Sequence, residues 1–139
     1  MSHNLILRII SKFLIPLIIL FAFYVQFHGD FGPGGGFQAG VIFSVAFILY
    51  TLVFGLDSAE KIITPVVLRI LASLGVVIYA GTGVASLLLG ANYLDYDVLG
   101  KTPVAGQHVG ILVIELGVGI TVASVMILIF YSFAGRDRD

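Results

Sequence analysis

The sequence predicts an all-α integral membrane protein with four transmembrane helices and both termini in the cytoplasm. Hydrophobic residues make up 59% of the 139-residue chain and charged residues only 11%, whereas a soluble domain averages about 25% charged residues. Uncharged stretches long enough to cross a bilayer recur along the chain. Helices satisfy their own backbone hydrogen bonds in lipid, and these stretches are too few for a membrane β-barrel.

We predict the helices at about residues 5–27, 37–56, 66–94 and 108–133 of a single domain that spans residues 1–139. The first helix carries Arg8 and Lys12 close to its start, where long side chains can reach the membrane surface. The second meets no charge before Asp57, and the third contains the uncharged run 70–94. The fourth contains a single residue of the Asp, Glu, Lys and Arg types, which is Glu115.

The distribution of basic residues predicts the orientation of the chain in the membrane. With four crossings, all but one of the 7 Lys and Arg residues fall on one side, and Lys101 alone falls on the other. Because basic residues are retained on the cytoplasmic side, both termini are expected there. The residues on that side are Arg8, Lys12, Lys61, Arg69, Arg136 and Arg138.

Glu115 is the strongest candidate for a functional residue, because it is the only charged side chain between residues 109 and 135. A carboxyl group inside a bilayer costs about 3 kcal/mol or more unless it is protonated, paired or hydrated. Gly119, Val122 and Ala123 follow one and two turns later and would let another helix approach closely. Two interpretations stay open: a carboxyl group that ties two helices together, or a site that handles ions or protons.

The connection between the first two helices is the second candidate region, because it combines Pro33 with glycines at positions 34, 35 and 36. Proline fixes one φ angle and glycine permits positive φ, so we expect a sharp, packed turn. One alternative is a re-entrant turn at a subunit contact, and the other is direct contact of loop carbonyl groups with a passing cation. The motif comprises Pro33, Gly34, Gly35, Gly36, Phe37 and Gly40, and the weaker site candidates are His28, Asp30 and His108.

Composition excludes several other functions. The chain has no cysteine, which rules out thiolate metal sites and thiol chemistry, and no pattern indicates a metal or a cofactor. The glycines at 34, 36 and 40 lie in no βαβ unit, and no Gly-Lys-Ser/Thr sequence follows them, so nucleotide binding is not expected. The net charge of −1 argues against nucleic acid binding. Four crossings leave no room for a soluble catalytic domain, so we do not expect an enzyme.

At the glycine-rich connection the sequence resembles a known family. Residues 33–40 (PGGGFQAG) look like a signature of the MnhB (MrpB) family, whose members are small subunits of the multisubunit Na+/H+ antiporters of the Mrp or Mnh type. The resemblance covers almost the whole chain and extends to residues 5–8 (LILR), 81–83 (GTG), 99–102 (LGKT) and 115–118 (ELGV). Residues 29–32 are more variable in that family, so His28 and Asp30 inherit no role from the resemblance.

The resemblance implies a small subunit of a hetero-oligomeric antiporter in the plasma or inner membrane, which exchanges cytoplasmic Na+, sometimes K+, for external protons. Its partners would be the lipid bilayer, other small subunits, and large subunits similar to the proton-pumping subunits of respiratory complex I. The subunit would be needed for assembly and would line part of an ion path. No cofactor is implied.

Two other interpretations stay open. An accessory membrane subunit of a related hydrogenase or another respiratory complex would have the same kind of helices. A self-sufficient small transporter would be expected to contain internal repeats. The glycine-rich connection has no counterpart between the third and fourth helices, which disfavours that possibility.

The predicted topology can be tested with reporter fusions. A reporter that is active only in the cytoplasm is expected to be active when it is fused after Asp139, because the basic flanks keep this end inside. The control is the same reporter fused after Gly100, in the third connection, where it is expected to be inactive. The opposite pattern of activities would overturn the orientation.

Overall fold

The computed structural model describes residues 4–28 and 35–136, and within these ranges it contains helices and no β-strand. Four of the helices are long and apolar enough to cross a membrane, which confirms the predicted all-α class and the prediction of four helices that can span a bilayer. In chain order the helices are α1 (Leu5–Phe27), α2 (Gly36–Phe54), α3 (Leu56–Ile62), α4 (Pro65–Leu88), a 3-10 helix (Tyr96–Leu99) and α5 (Pro103–Ala134).

The first residues of α4 and α5 are set by local capping signals and not by the spacing of charges. The hydroxyl group of Thr64 accepts a hydrogen bond from the backbone N–H of Val67 at 3.2 Å, and Pro65 occupies the first turn of α4. Thr102 and Pro103 start α5 in the same way, several residues before the predicted start at 108. Both pairs combine a hydroxyl cap with a proline, the residue preferred at the first helical position.

The four long helices form a row in the order α1, α2, α5, α4. Helix α5 contacts α4 on one side and α2 on the other, while α1 packs mainly against α2 and only marginally against α5. The start of α1 lies beside the end of α2, because the Arg8 guanidinium group lies 5.1 Å and the Lys12 ammonium group 5.9 Å from the centre of the Phe54 ring. The basic residues at the start of α1 therefore share one end of the bundle with the α2–α3 junction.

Glycine residues set the distance between α5 and its neighbours. A Cβ atom added to Gly75 of α4 would overlap the Thr121 hydroxyl group and lie 2.5 Å from the carbonyl oxygen of Gly117. Thr121 also donates a hydrogen bond to the carbonyl oxygen of Ala72 at 3.2 Å, which joins α4 and α5 directly. Two residues after Gly117, Gly119 faces the other way, and a Cβ atom there would lie 2.9 Å from Oε1 of Gln26 in α1.

At the end of the bundle where α2 begins, α5 extends further than α2. Gly36, the first residue of α2, contacts the backbone of Glu115, whereas α5 itself begins at Pro103, about 18 Å earlier along its axis at 1.5 Å per residue. This protruding part of α5 is covered by the 3-10 helix, whose Tyr96 ring rests on Gly110.

Burial raises the pKa of the Tyr96 phenol above its ordinary value of 10.0, and Tyr79 acts in the same direction. This phenol therefore stays protonated at neutral pH.

The contact at Gly75 can be tested by a single methyl group. Gly75→Ala is expected to lower the free energy of unfolding by roughly 1–3 kcal/mol, because α4 and α5 must separate to admit the Cβ atom. The measurement is thermal unfolding of the purified protein in detergent. The matched control is Gly81→Ala in the same helix, where a Cβ atom meets nothing within 4 Å and a small stabilisation is expected. Equal melting temperatures of the two variants would contradict the close packing of α4 and α5 at Gly75.

Candidate functional site

The half-buried Glu115 packs against the first residues of α2. A Cβ atom on Gly35 would lie 3.0 Å from Oε1 of Glu115, and one on Gly36 would overlap the backbone of Glu115. The carboxyl group therefore lies beside the N-terminal turn of α2. The structure thus joins two regions that were identified separately in the sequence: the glycine-rich connection and the charged residue of the last helix.

The N-terminal turn of α2 is capped by the side chain of Gln38, which belongs to the same turn. Gln38 accepts a hydrogen bond from the backbone N–H of Gly35 through Oε1 at 3.0 Å. The same oxygen would lie 3.7 Å from a Cβ atom on Gly35. Two oxygen atoms, one from Glu115 and one from Gln38, therefore approach the same glycine.

The position of Glu115 has two opposing electrostatic effects. The N-terminus of a helix carries a partial positive charge from unpaired N–H groups, which stabilises a nearby carboxylate. Glu115 is half-buried, and its partial removal from water favours the uncharged carboxylic acid. The charged and uncharged forms of Glu115 are therefore each stabilised by one part of its surroundings.

The small residues that follow Glu115 and Gly36 continue the contact between α2 and α5. A Cβ atom on Gly40 would lie 2.7 Å from the carbonyl oxygen of Gly119 and 2.9 Å from Cβ of Val122. This confirms that Gly119 and Val122 form a surface for close approach of another helix. The expected need for positive φ is wrong at Gly35, whose φ of −155° is extended backbone. Lack of space requires glycine at position 36 instead, where a Cβ atom would meet the backbone of Glu115 and not the end of a flexible side chain.

The remaining sequence candidates either lie outside the described residues or have exposed side chains. Pro33, Gly34 and Asp30 lie outside the described residues, and the Phe37 side chain is exposed. His28 caps the end of α1, where its Nδ1 atom lies 3.2 Å from the carbonyl oxygen of Tyr24 and its ring stacks on Tyr24 at 4.3 Å. His108 is exposed on α5, and its seven-residue separation from Glu115 corresponds to about 10 Å along the helix.

Sequence reasoning missed the two glutamines near this site. Gln26 in α1 is 6% exposed, its Oε1 atom faces Gly119, and its Nε2 atom has no hydrogen-bond partner. Gln38 caps α2. Both side chains are neutral, so a search for charged residues does not find them. An amide within an apolar helix is nevertheless informative, because its polar atoms also need hydrogen-bond partners in lipid.

The hydroxyl groups in the long helices do not form a continuous polar path. Most of them donate a hydrogen bond to a carbonyl oxygen of their own helix, whereas the Thr121 hydroxyl group bonds across to Ala72. The residues bonded within a single helix include Ser44, Thr51, Ser73, Thr82, Ser86 and Ser124. Among the described residues, no group of three or more His, Cys, Asp or Glu side chains could hold a metal ion.

Comparison with known proteins identifies the family. A family model described as "Domain related to MnhB subunit of Na+/H+ antiporter" matches residues 6–128. The chain belongs to the MnhB family. This confirms the resemblance based on residues 33–40, and the matched range includes both sides of the contact between Glu115 and α2.

Similar MnhB-family proteins occur in Staphylococcus aureus. Proteins named "Putative antiporter subunit mnhB2" from strains Newman, USA300 and COL are each 34% identical to this chain over 137 residues. The match covers 96% of this chain and 96% of each relative. The similarity therefore extends over all four long helices.

The contact at Gly36 is expected to be sensitive to a single methyl group. Gly36→Ala should destabilise the protein by roughly 2 kcal/mol, because the Cβ atom would meet the backbone of Glu115, which cannot rotate away. Thermal unfolding and the yield of intact protein in detergent measure this effect. Gly81→Ala again serves as the control, and a Gly36→Ala variant as stable as the parent would refute the close contact.

Proposed function

We propose that this chain is a small membrane subunit of a hetero-oligomeric Na+/H+ antiporter, where it supports assembly and contributes to an ion path. The MnhB-family match and the relatives named as antiporter subunits support this function over an accessory subunit of a hydrogenase. They also support a transport component over an enzyme. The proposed partners are the other small subunits, the large complex-I-like subunits and the bilayer, and the transported ions are Na+ and H+.

The arrangement of the helices supports a role within a larger assembly. Helix α1 lies at the edge of the row and exposes large apolar side chains along its length, among them Ile6, Phe13 and Leu20. Helix α4 exposes Ile70 and Val77 at the opposite edge. Both edges can contact lipid or the helices of other subunits.

The proposed location is the plasma or inner membrane, with both termini in the cytoplasm. Four helices that can span a membrane support a multi-pass protein. The basic residues Arg8, Lys12 and Lys61 lie on the segments that meet at the end of the bundle where α2 ends and α3 begins. Retention of that basic end in the cytoplasm would place the contact between Glu115 and α2 towards the outer side.

Within this function we assign proton handling to Glu115. The observation that supports the assignment is the position of its carboxyl group at the N-terminal turn of α2. A proton carrier needs two protonation states of similar free energy, and here the helix terminus stabilises the carboxylate while partial burial stabilises the acid. A carboxyl group that only joined two helices would need only one protonation state.

Glu115→Gln separates these two roles, because glutamine keeps the shape and hydrogen-bonding capacity but cannot titrate. The variant is expected to assemble normally and to lose exchange activity partially, on the order of tenfold, which corresponds to about 1.4 kcal/mol in the barrier. Proton-coupled Na+ flux in membrane vesicles across a range of pH measures this. Glu115→Ala should also weaken assembly, because it leaves the groups around the carboxyl unsatisfied.

The pH profile decides between the two roles. Full exchange activity of Glu115→Gln at every pH would leave Glu115 with a structural role only. A variant that fails to assemble would likewise contradict the assignment, since glutamine retains the contacts of the parent side chain.

A further inference from the structure

Two basic side chains converge on one aromatic ring at the end of the bundle where α1 begins. The Arg8 guanidinium group lies 5.1 Å and the Lys12 ammonium group 5.9 Å from the centre of the Phe54 ring. Arg8 and Lys12 are four residues apart in α1, so their side chains leave the same face of that helix. Phe54 is the last residue of α2. Both positive charges are therefore held at the level where α2 ends.

The contact with Phe54 positions the two cations but does not neutralise them. A cation within about 6 Å of an aromatic ring centre is attracted to the face of the ring, which carries no net charge. Within residues 4–28 and 35–136, no ion pair joins Arg8 or Lys12 to a carboxylate group. A guanidinium group carries five N–H donors and an ammonium group three. The pair can therefore bind an anion.

Basic residues outnumber acidic ones at this end of the bundle. The end of α5 meets the connection between α3 and α4 there, because the Tyr131 hydroxyl group donates a hydrogen bond to the carbonyl oxygen of Ile63 at 3.1 Å. The described acidic residues of these segments are Asp57 and Glu60, and the basic ones are Arg8, Lys12, Lys61, Arg69 and Arg136. An excess of one sign of charge raises the local concentration of ions of the opposite sign.

The surface around the two cations combines charge with exposed apolar side chains. Lys12 is exposed and Arg8 is half-buried, and between and beside them in α1 the side chains of Ile9 and Phe13 are 46% and 72% exposed. Long basic side chains near the end of a membrane-spanning helix extend to the level of the lipid headgroups. The anion that a bilayer offers at this level, directly above apolar chains, is the phosphate group of a lipid.

We propose that Arg8 and Lys12 bind the phosphate group of an anionic membrane phospholipid, whose acyl chains pack along the exposed apolar side chains of α1. The phosphate oxygen atoms accept charge-assisted hydrogen bonds from the guanidinium and ammonium groups. A zwitterionic lipid carries its own cation beside the phosphate, so two protein cations favour an anionic lipid. This site does not depend on the proposed role of Glu115 or on the direction of the chain in the membrane.

Photolabelling of the protein in native membranes tests the site. The probe is phosphatidylglycerol with a photoreactive diazirine in its acyl chain, and labelled peptides are identified by mass spectrometry. Labelling is expected in residues 5–13. Unlabelled phosphatidylglycerol should displace the probe from this segment about fivefold better than phosphatidylcholine does, because it carries the net charge that the two cations recognise. This comparison uses the parent protein and needs no variant that folds.

Three variants test the residues that form the site. Lys12→Gln is expected to lower the preference for phosphatidylglycerol about fivefold, the contribution of one basic residue to the binding of anionic lipid. Arg69→Gln is the matched control, because it removes one exposed positive charge at the same end of the bundle but not from the ring, and it should behave like the parent. Phe54→Leu keeps every charge and should lower the preference about twofold, because it removes the ring that positions both cations.

Three outcomes would overturn the lipid site. Equal competition by the two lipids in the parent would show that no anion is selected. Equal effects of Lys12→Gln and Arg69→Gln would show that only the overall charge attracts the lipid. A carbodiimide crosslink between Lys12 and a carboxyl group of another protein in the membrane would show that a protein carboxylate occupies the site.

Discussion

Helices in a bilayer gain no hydrophobic free energy from meeting each other, so their association depends on how closely their backbones approach. In this protein the approach is made by glycine residues of α5. Gly117 faces Gly75 of α4, and Gly119 faces Gln26 and Gly36. Residues two apart in a helix point in directions that differ by about 200°. Gly117 and Gly119 therefore contact neighbours on opposite sides of α5 and fix α5 between them. The central position of α5 follows from this spacing.

The same constraint places the only charged side chain of α5. Because Gly36 and Gly40 bring α2 against Glu115 and Gly119, the carboxyl group meets the start of a helix and is not left among lipid chains. Any larger residue at position 36 would push that helix terminus away. Packing and the proposed proton chemistry therefore depend on the same contact, and a defect in exchange has to be measured separately from a defect in assembly.

Much of the architecture could be predicted from the sequence, because charge spacing alone separates four apolar segments. The helix ends were less accurate: the early start of α5 depends on Thr102 and Pro103, a local cap that hydropathy does not detect. The contact between Gly35 and Glu115 could not be predicted, since it depends on the register of two helices that are far apart in the sequence. Gln26 was missed because its importance lies in a neutral amide that burial leaves unpaired.

The stagger between α2 and α5 has a consequence for the surrounding bilayer. On the side of the first connection, α1 and α2 end level with Glu115, while α4 and α5 continue with exposed apolar side chains such as Leu88 and Val104. A membrane of uniform thickness cannot match both heights, and each ångström of hydrophobic mismatch costs a fraction of a kcal/mol. Tilting of the subunit, local thinning of the bilayer or a neighbouring helix over the step relieves this cost. The described helices thus present apolar surfaces of two different heights to whatever surrounds the subunit.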